Sequence, residues 1–236
     1  MPAAKDSLLA RLAAQNIEFE EEISLLPAAG PGGKIRAVVI NSVANLRSEP
    51  RHSAELATQA TLGMPLKVLE KEGSWYRVQT PDRYLAWVDS AAIVTATTQQ
   101  VTDWQRQPKI IFTETYGFAR SAAERQAAPV ADLVMGSILN LEGKEEGFYR
   151  VRYPDGRQAW VDTAASRPLH EWMPAWPPKA DHLVKTSLGL MGVPYLWGGT
   201  SAKGMDCSGF TKTVYFMNGM IIPRDASQQV HAGEPV

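Results

Sequence analysis

The 236-residue sequence predicts a mainly β chain with an α+β C-terminal part: two small closed β-barrels, then a segment organised around one cysteine. Three observations carry this. First, Trp75-Tyr-Arg-Val returns as Phe148-Tyr-Arg-Val, and Ala86-Trp-Val-Asp-Ser-Ala-Ala as Ala159-Trp-Val-Asp-Thr-Ala-Ala, each 73 residues on. Leu46-Arg47-Ser48 against Ala119-Arg120-Ser121 and Gly63 against Gly136 keep the same register, so a domain is duplicated. Second, each copy alternates in short β-branched and aromatic runs split by Gly, Pro and Asp turns. Third, beyond residue 180 the apolar spacing becomes helical on both sides of the only cysteine, Cys207.

In chain order, residues 1–35 read as a helical lead-in. Leu8, Leu9, Leu12 and Ala13 recur at helical spacing with Ser7 or Asp6 as cap, and Glu18 and Glu20–Glu22 form an acidic face. Pro27 and Gly30–Gly33 break the chain. The first repeat copy, 36–94, shows strands at Arg36–Ile40, Leu66–Glu70, Trp75–Gln79 and Leu85–Val88; the second spans 108–166. Short strands at this spacing suit a closed barrel, which has no free edges. Trp75, Trp87, Phe148 and Trp160 read as barrel core. Residues 167–179, with Trp172, Pro174 and Trp176-Pro-Pro, read as a stiff linker strapped on protein surface. A helix then spans about 179–191, offering Leu183, Val184, Leu188 and Leu190 as its core face, and stops at Gly192 and Pro194.

Composition excludes several functions. A net charge of −1 leaves no basic excess for nucleic acid or an anionic membrane. One cysteine excludes an internal disulfide, and four scattered histidines give no ligand cluster, so neither metal nor cofactor is expected. Met1–Ala10 is not followed by an apolar core of signal-peptide type, and no run of 18 apolar residues exists.

Residues 180–236 hold the chemistry. Asp206-Cys207-Ser208-Gly209-Phe210 leads into an apolar helical pattern, which puts Cys207 at a helix start with Asp206 near the cap. Free N–H groups and the helix dipole there favour a thiolate nucleophile and can bind an oxyanion. A lone cysteine is otherwise a small buried hydrophobe, and Asp206 could be only a cap.

The Asn-Leu-Arg-Ser stretch, Gly63, Trp75-Tyr-Arg-Val and Ala86-Trp-Val resemble the bacterial SH3 domain, so the barrels are expected to be SH3-like. Pro194-Tyr-Leu-Trp-Gly-Gly-Thr with Asp206-Cys-Ser-Gly-Phe resembles the NlpC/P60 cysteine peptidases, which hydrolyse peptidoglycan peptides on a papain-like α+β fold. The order of domains resembles the γ-D-glutamyl-L-diamino acid endopeptidases of that family. The resemblance implies a cysteine peptidase that cuts the γ-D-glutamyl to diamino-acid bond of murein peptides with a free N-terminal L-Ala. It implies Cys207 as nucleophile, Tyr195 near the oxyanion, Trp197 lining the groove, and Asp206 and Ser208 as substrate contacts. It also implies Glu49, Tyr84 and Asp225 as the grip on the substrate amine. The second copy has Ala122 and Arg157 at the registers of Glu49 and Tyr84, consistent with a role peculiar to the first.

The family's histidine base and third polar group lie on later strands. The expectation is therefore a papain-like domain truncated at Val236, an inactive fragment, and a poorly covered cysteine helix. His231, the only histidine after Cys207, is not assigned as base. The alternative is a tandem SH3 module that binds cell-wall peptide and carries a non-functional peptidase remnant. Both a cell-envelope and a cytoplasmic location fit.

Overall fold

A computed structural model describes residues 2–18, 20, 26–27, 33–172 and 179–234. The lead-in helix α1 covers Pro2–Ala14. It starts ahead of Ser7 and Asp6, so neither residue caps it. Glu21, Glu22 and Gly30 to Gly32 lie outside the described residues.

The first repeat forms seven strands: β1 (Arg36–Val39), β2 (Val43–Arg47), β3 (Leu56–Thr61), β4 (Pro65–Glu72), β5 (Trp75–Gln79), β6 (Leu85–Asp89) and β7 (Ile93–Ala96). Their order is β3-β2-β6-β5-β4-β1-β7, with antiparallel pairing throughout. Every strand puts side chains into one interior cluster, among them Ala37, Leu46, Ala60, Val68, Val78, Val88 and Ile93. The sheet is rolled, but its ladder ends on β3 and β7 instead of closing as expected. The helix α2 (Thr98–Arg106), between the two repeat copies, follows with a Thr97/Gln100 capping box.

The second repeat repeats the topology with β8 (Lys109–Phe112), β9 (Tyr116–Arg120), β10 (Pro129–Val134), β11 (Ile138–Glu145), β12 (Phe148–Arg152), β13 (Gln158–Asp162) and β14 (Ser166–Pro168). The linker expectation fails at its start: residues 166–168 are this last strand, and α3 (Leu169–Trp172) follows it. Pro174 and Trp176 to Pro178 lie outside the described residues.

Strand parity corrects the aromatic core. Ala86 and Val88 point inward, so Trp87 between them faces outward and is half-buried, as is Trp160 between Ala159 and Val161. Trp75 and Phe148 are buried, yet on the outer face; the interiors take Tyr76 and Tyr84 in the first barrel and Phe112, Tyr149 and Tyr153 in the second. The barrels abut at Gly63, where φ is +82° and an added Cβ would lie 2.1 Å from the Ile138 carbonyl oxygen. Ile138 N–H donates to Leu62 O there at 2.9 Å.

The C-terminal part contains α4 (Ala180–Gly189), the two-strand hairpin β15 (Thr200–Ser201) and β16 (Gly204–Met205), α5 (Cys207–Phe216) and α6 (Ala226–Gln229). In α4 the expected core face is half right. Leu183 packs inward, as does Leu190 just past the helix, while Val184 and Leu188 are exposed.

Candidate active site

Cys207 opens α5 and is exposed. The rest of that helix is well covered, contrary to expectation. Ser208, Gly209, Lys212, Thr213 and Val214 are buried. A third core cluster joins Val214 and Met217 of this segment to Ile111 and Met135 of the second barrel. The barrels therefore supply the cover that the sequence reading looked for in a further sheet.

Asp206 is the N-cap. Its Oδ1 accepts from Gly209 N–H at 2.7 Å, from Arg224 Nη1 at 3.1 Å and from the Ser208 hydroxyl at 3.2 Å. Its Oδ2 accepts from Gly198 N–H at 3.0 Å and Arg224 Nη2 at 2.5 Å. Burial pushes this carboxyl up, but Arg224 and the two backbone N–H groups outweigh it and hold it below the usual carboxylate range. Arg224 also donates to Ser208 Oγ at 2.7 Å and to Thr58 Oγ1 of β3 at 3.1 Å. Asp206 and Ser208 were expected to touch substrate. Both are buried, with their side chains engaged at the helix start.

The first barrel forms a wall of the site. Gln59 of β3 accepts from Thr200 N–H at 3.0 Å and from the Ser201 hydroxyl at 2.8 Å. Gly198, at φ +79°, passes so close to β3 that a Cβ would sit 2.0 Å from the Leu56 carbonyl oxygen. The Trp197 indole N–H donates to Glu55 Oε1 at 2.7 Å. Behind α5, the Lys212 ammonium meets Asp82 Oδ2 at 2.6 Å. The second barrel braces the hairpin turn through Lys203 and Asp132, 2.7 Å apart. An apolar cavity of about 290 Å³ lies behind α5, lined by residues of both barrels and not by Cys207.

Tyr84 is half-buried. Burial pushes its phenol up, and the Asp225 carboxylate adds to this, opposed by Arg224, with smaller contributions from Glu55 and Asp82. Asp225 and Glu55 are thus both within electrostatic reach of the Tyr84 phenol. Asp225 stands at the start of α6 without using its side chain as a cap. Tyr195 and Trp197 are exposed, at 67% and 64%, with Tyr195 bridged to Met205 just ahead of the cysteine. Glu49 is not brought to this group: Arg51 holds both its oxygens at 3.0 Å and lowers its carboxyl pKa on the exposed side of the turn. The barrel carboxylate that does reach the cleft is Glu55. Its register in the second copy holds Ala128, so the same repeat comparison that singled out Glu49 could have found it.

Residues 46–93 match the profile of the bacterial dipeptidyl-peptidase SH3 domain, and residues 192–236 that of the NlpC/P60 family. A gamma-D-glutamyl-L-lysine dipeptidyl-peptidase of Bacillus cereus is 30% identical over 192 residues, 77% of this chain and 56% of that protein. The dipeptidyl-peptidase 6 of Lysinibacillus sphaericus is 29% identical over 81% of this chain and 73% of its own length. The chain thus spans a little over half the length of the first of these relatives. A crystal structure of an NlpC/P60 family protein from Bacillus cereus superposes with a TM-score of 0.74 at 25% identity, covering 85% of this chain and 78% of that one.

Proposed function

With residues 192–236 belonging to the NlpC/P60 family and residues 46–93 forming an SH3 domain of the bacterial dipeptidyl-peptidase type, we propose that this is a cysteine peptidase of murein peptides. The bond cut is that between γ-D-Glu and an L-diamino acid, L-Lys by analogy with the names of the relatives, in peptides with a free N-terminal L-Ala. Cys207 Sγ attacks the γ-carbonyl carbon, and the oxyanion is met by N–H groups at the start of α5 and by the exposed Tyr195 hydroxyl. The diamino acid leaves with a proton, and water then releases L-Ala-D-Glu from the thioester. On the family resemblance, the base is assigned to the later strands of that domain rather than to His231, which is exposed on the turn after α6.

The observation that carries this proposal is the seating of the first barrel on the Cys207 segment. Tyr84, which feels the charges of both Asp225 and Glu55, supports reading that end of the cleft as the amine site. A substrate ammonium there would meet two carboxylates whose charge no buried cation cancels, whereas Asp206 and Asp82 are already paired with Arg224 and Lys212. An acylated amine would carry no positive charge to meet those carboxylates, which favours free peptides.

The test uses the product of the native gene with L-Ala-γ-D-Glu-L-Lys. Release of free lysine is expected, and Cys207→Ala should reduce it to background while leaving the fold intact, because that side chain is exposed. An uncut peptide, or full activity in the variant, would overturn the proposal.

A further inference from the structure

Building on the proposed peptidase activity, we infer that Lys212 is a positioning residue: its ion pair with Asp82 ties the 80–84 turn of the first barrel, and so Tyr84, to the back of the cysteine helix. The pair spans 130 residues of sequence at 2.6 Å, with the two side chains only 11% and 2% exposed. The tie continues through the turn. The Thr80 hydroxyl donates to the other oxygen of Asp82 and lies 3.3 Å from Tyr84 O, which also accepts from Thr80 N–H at 3.0 Å. Arg83 N–H closes the turn on Thr80 O at 2.8 Å. Lys212 is therefore linked to the backbone of Tyr84 through a short unbroken set of polar contacts.

The repeat supplies an internal control. In the second barrel the same turn, Tyr153 to Arg157, closes with Tyr153 N–H on Arg157 O at 2.8 Å and keeps the aspartate as Asp155. There Arg157 neutralises Asp155 from within the turn, Nε to Oδ2 at 2.7 Å. Tyr84 occupies the register of Arg157, so the first barrel has given up its own cation, and Asp82 takes one from α5 instead. A buried carboxylate without a counterion is strongly unfavourable, so a barrel with Tyr84 depends on Lys212. The turn also carries a backbone cost that its surroundings must hold: Arg83 has φ +67° where the second copy has Gly156 at +92°. One exchange between the copies thus places an aromatic at the cleft and transfers its turn's charge balance to the helix that bears the nucleophile.

The experiment compares the wild-type enzyme from the native gene with the double variant Lys212→Met, Asp82→Asn. Removing both charges together avoids the unpaired charge that a single substitution would bury. Two readouts are taken: kcat and KM on L-Ala-γ-D-Glu-L-Lys and its N-acetyl form, and hydrogen exchange of amides 80–85. The double variant is expected to fold, to lose about tenfold or more of the preference for the free amine, chiefly through KM, and to exchange faster at 80–85. Lys212→Arg should restore most of the preference. An unchanged preference in a folded variant would overturn the inference. So would equal losses on both peptides with unchanged exchange, the mark of a space-filling role. If the wild type cuts neither peptide, the peptidase proposal fails by itself, and the exchange comparison still decides whether Lys212 holds the turn.

Discussion

At the nucleophile, the side chain with the most partners is Asp206. Its two oxygens join the first turn of α5, the loop at Gly198 and Arg224, and Arg224 reaches on to β3. The pair is nearly inaccessible, at 3% and 8% exposure, so Arg224→Met leaves a carboxylate buried without its counterion. A loss of roughly 3–5 kcal/mol at neutral pH is expected. The pH dependence follows from the direction of the shift. Asp206 is held below its unfolded pKa, so it stabilises the fold above the unfolded carboxylate range, and that contribution disappears as pH falls through the lower folded value. Asp132, held low by Lys203 and Ser42 against the opposing effect of burial, acts in the same sense. Thermal melts should therefore be flat near neutrality and fall below about pH 4. The gap between wild type and Arg224→Met should narrow there, because Asp206 can protonate. A gap independent of pH would contradict this assignment. From sequence, Asp206 was legible as a cap. Its buried pairing with Arg224 was not, because Arg224 and Thr58 come from distant parts of the chain.

Among the elements, the loop ahead of the cysteine and the edge strand β3 fit together without room for a side chain. Gly198 combines a positive φ with a 2.0 Å approach of any Cβ to Leu56 O. Gly198→Ala should lift the loop from β3 and cost about 1–3 kcal/mol. It should also weaken the Trp197–Glu55 hydrogen bond, so a change in Trp197 fluorescence at temperatures well below unfolding is the measurement. A variant with wild-type fluorescence and stability would contradict this tight docking. The glycines of this loop were legible as turn formers, but the surface they approach was not. Strands β5 and β6 were readable because alternation and turn residues coincide there. Strands β2 and β3 were not: Ala44, Asn45, Ala57 and Gln59 carry weak strand propensity, and their pairing is settled by docking to the rest of the molecule.

Across the whole molecule, the duplication provides two sides of one clamp. Gln59 and Asp132 share a register in the two copies, and both grip the hairpin that precedes the nucleophile, one at Thr200 and Ser201, the other at Lys203. The repeat itself was plain in the sequence; the use of both copies as cover for α5 was not, since nothing in a single barrel's pattern marks which outer face is occupied. The central claim is that the first barrel and the cysteine segment make one site that reads a free amine and delivers a carbonyl to Cys207. Its most direct test is an affinity label, L-Ala-γ-D-Glu bearing an electrophilic ketone in place of the diamino acid, followed by intact mass and peptide mapping. The account predicts a single adduct on Cys207 and a labelling rate about tenfold or more lower for the N-acetyl form. Equal rates for the two labels, or an adduct at any other residue, would contradict it.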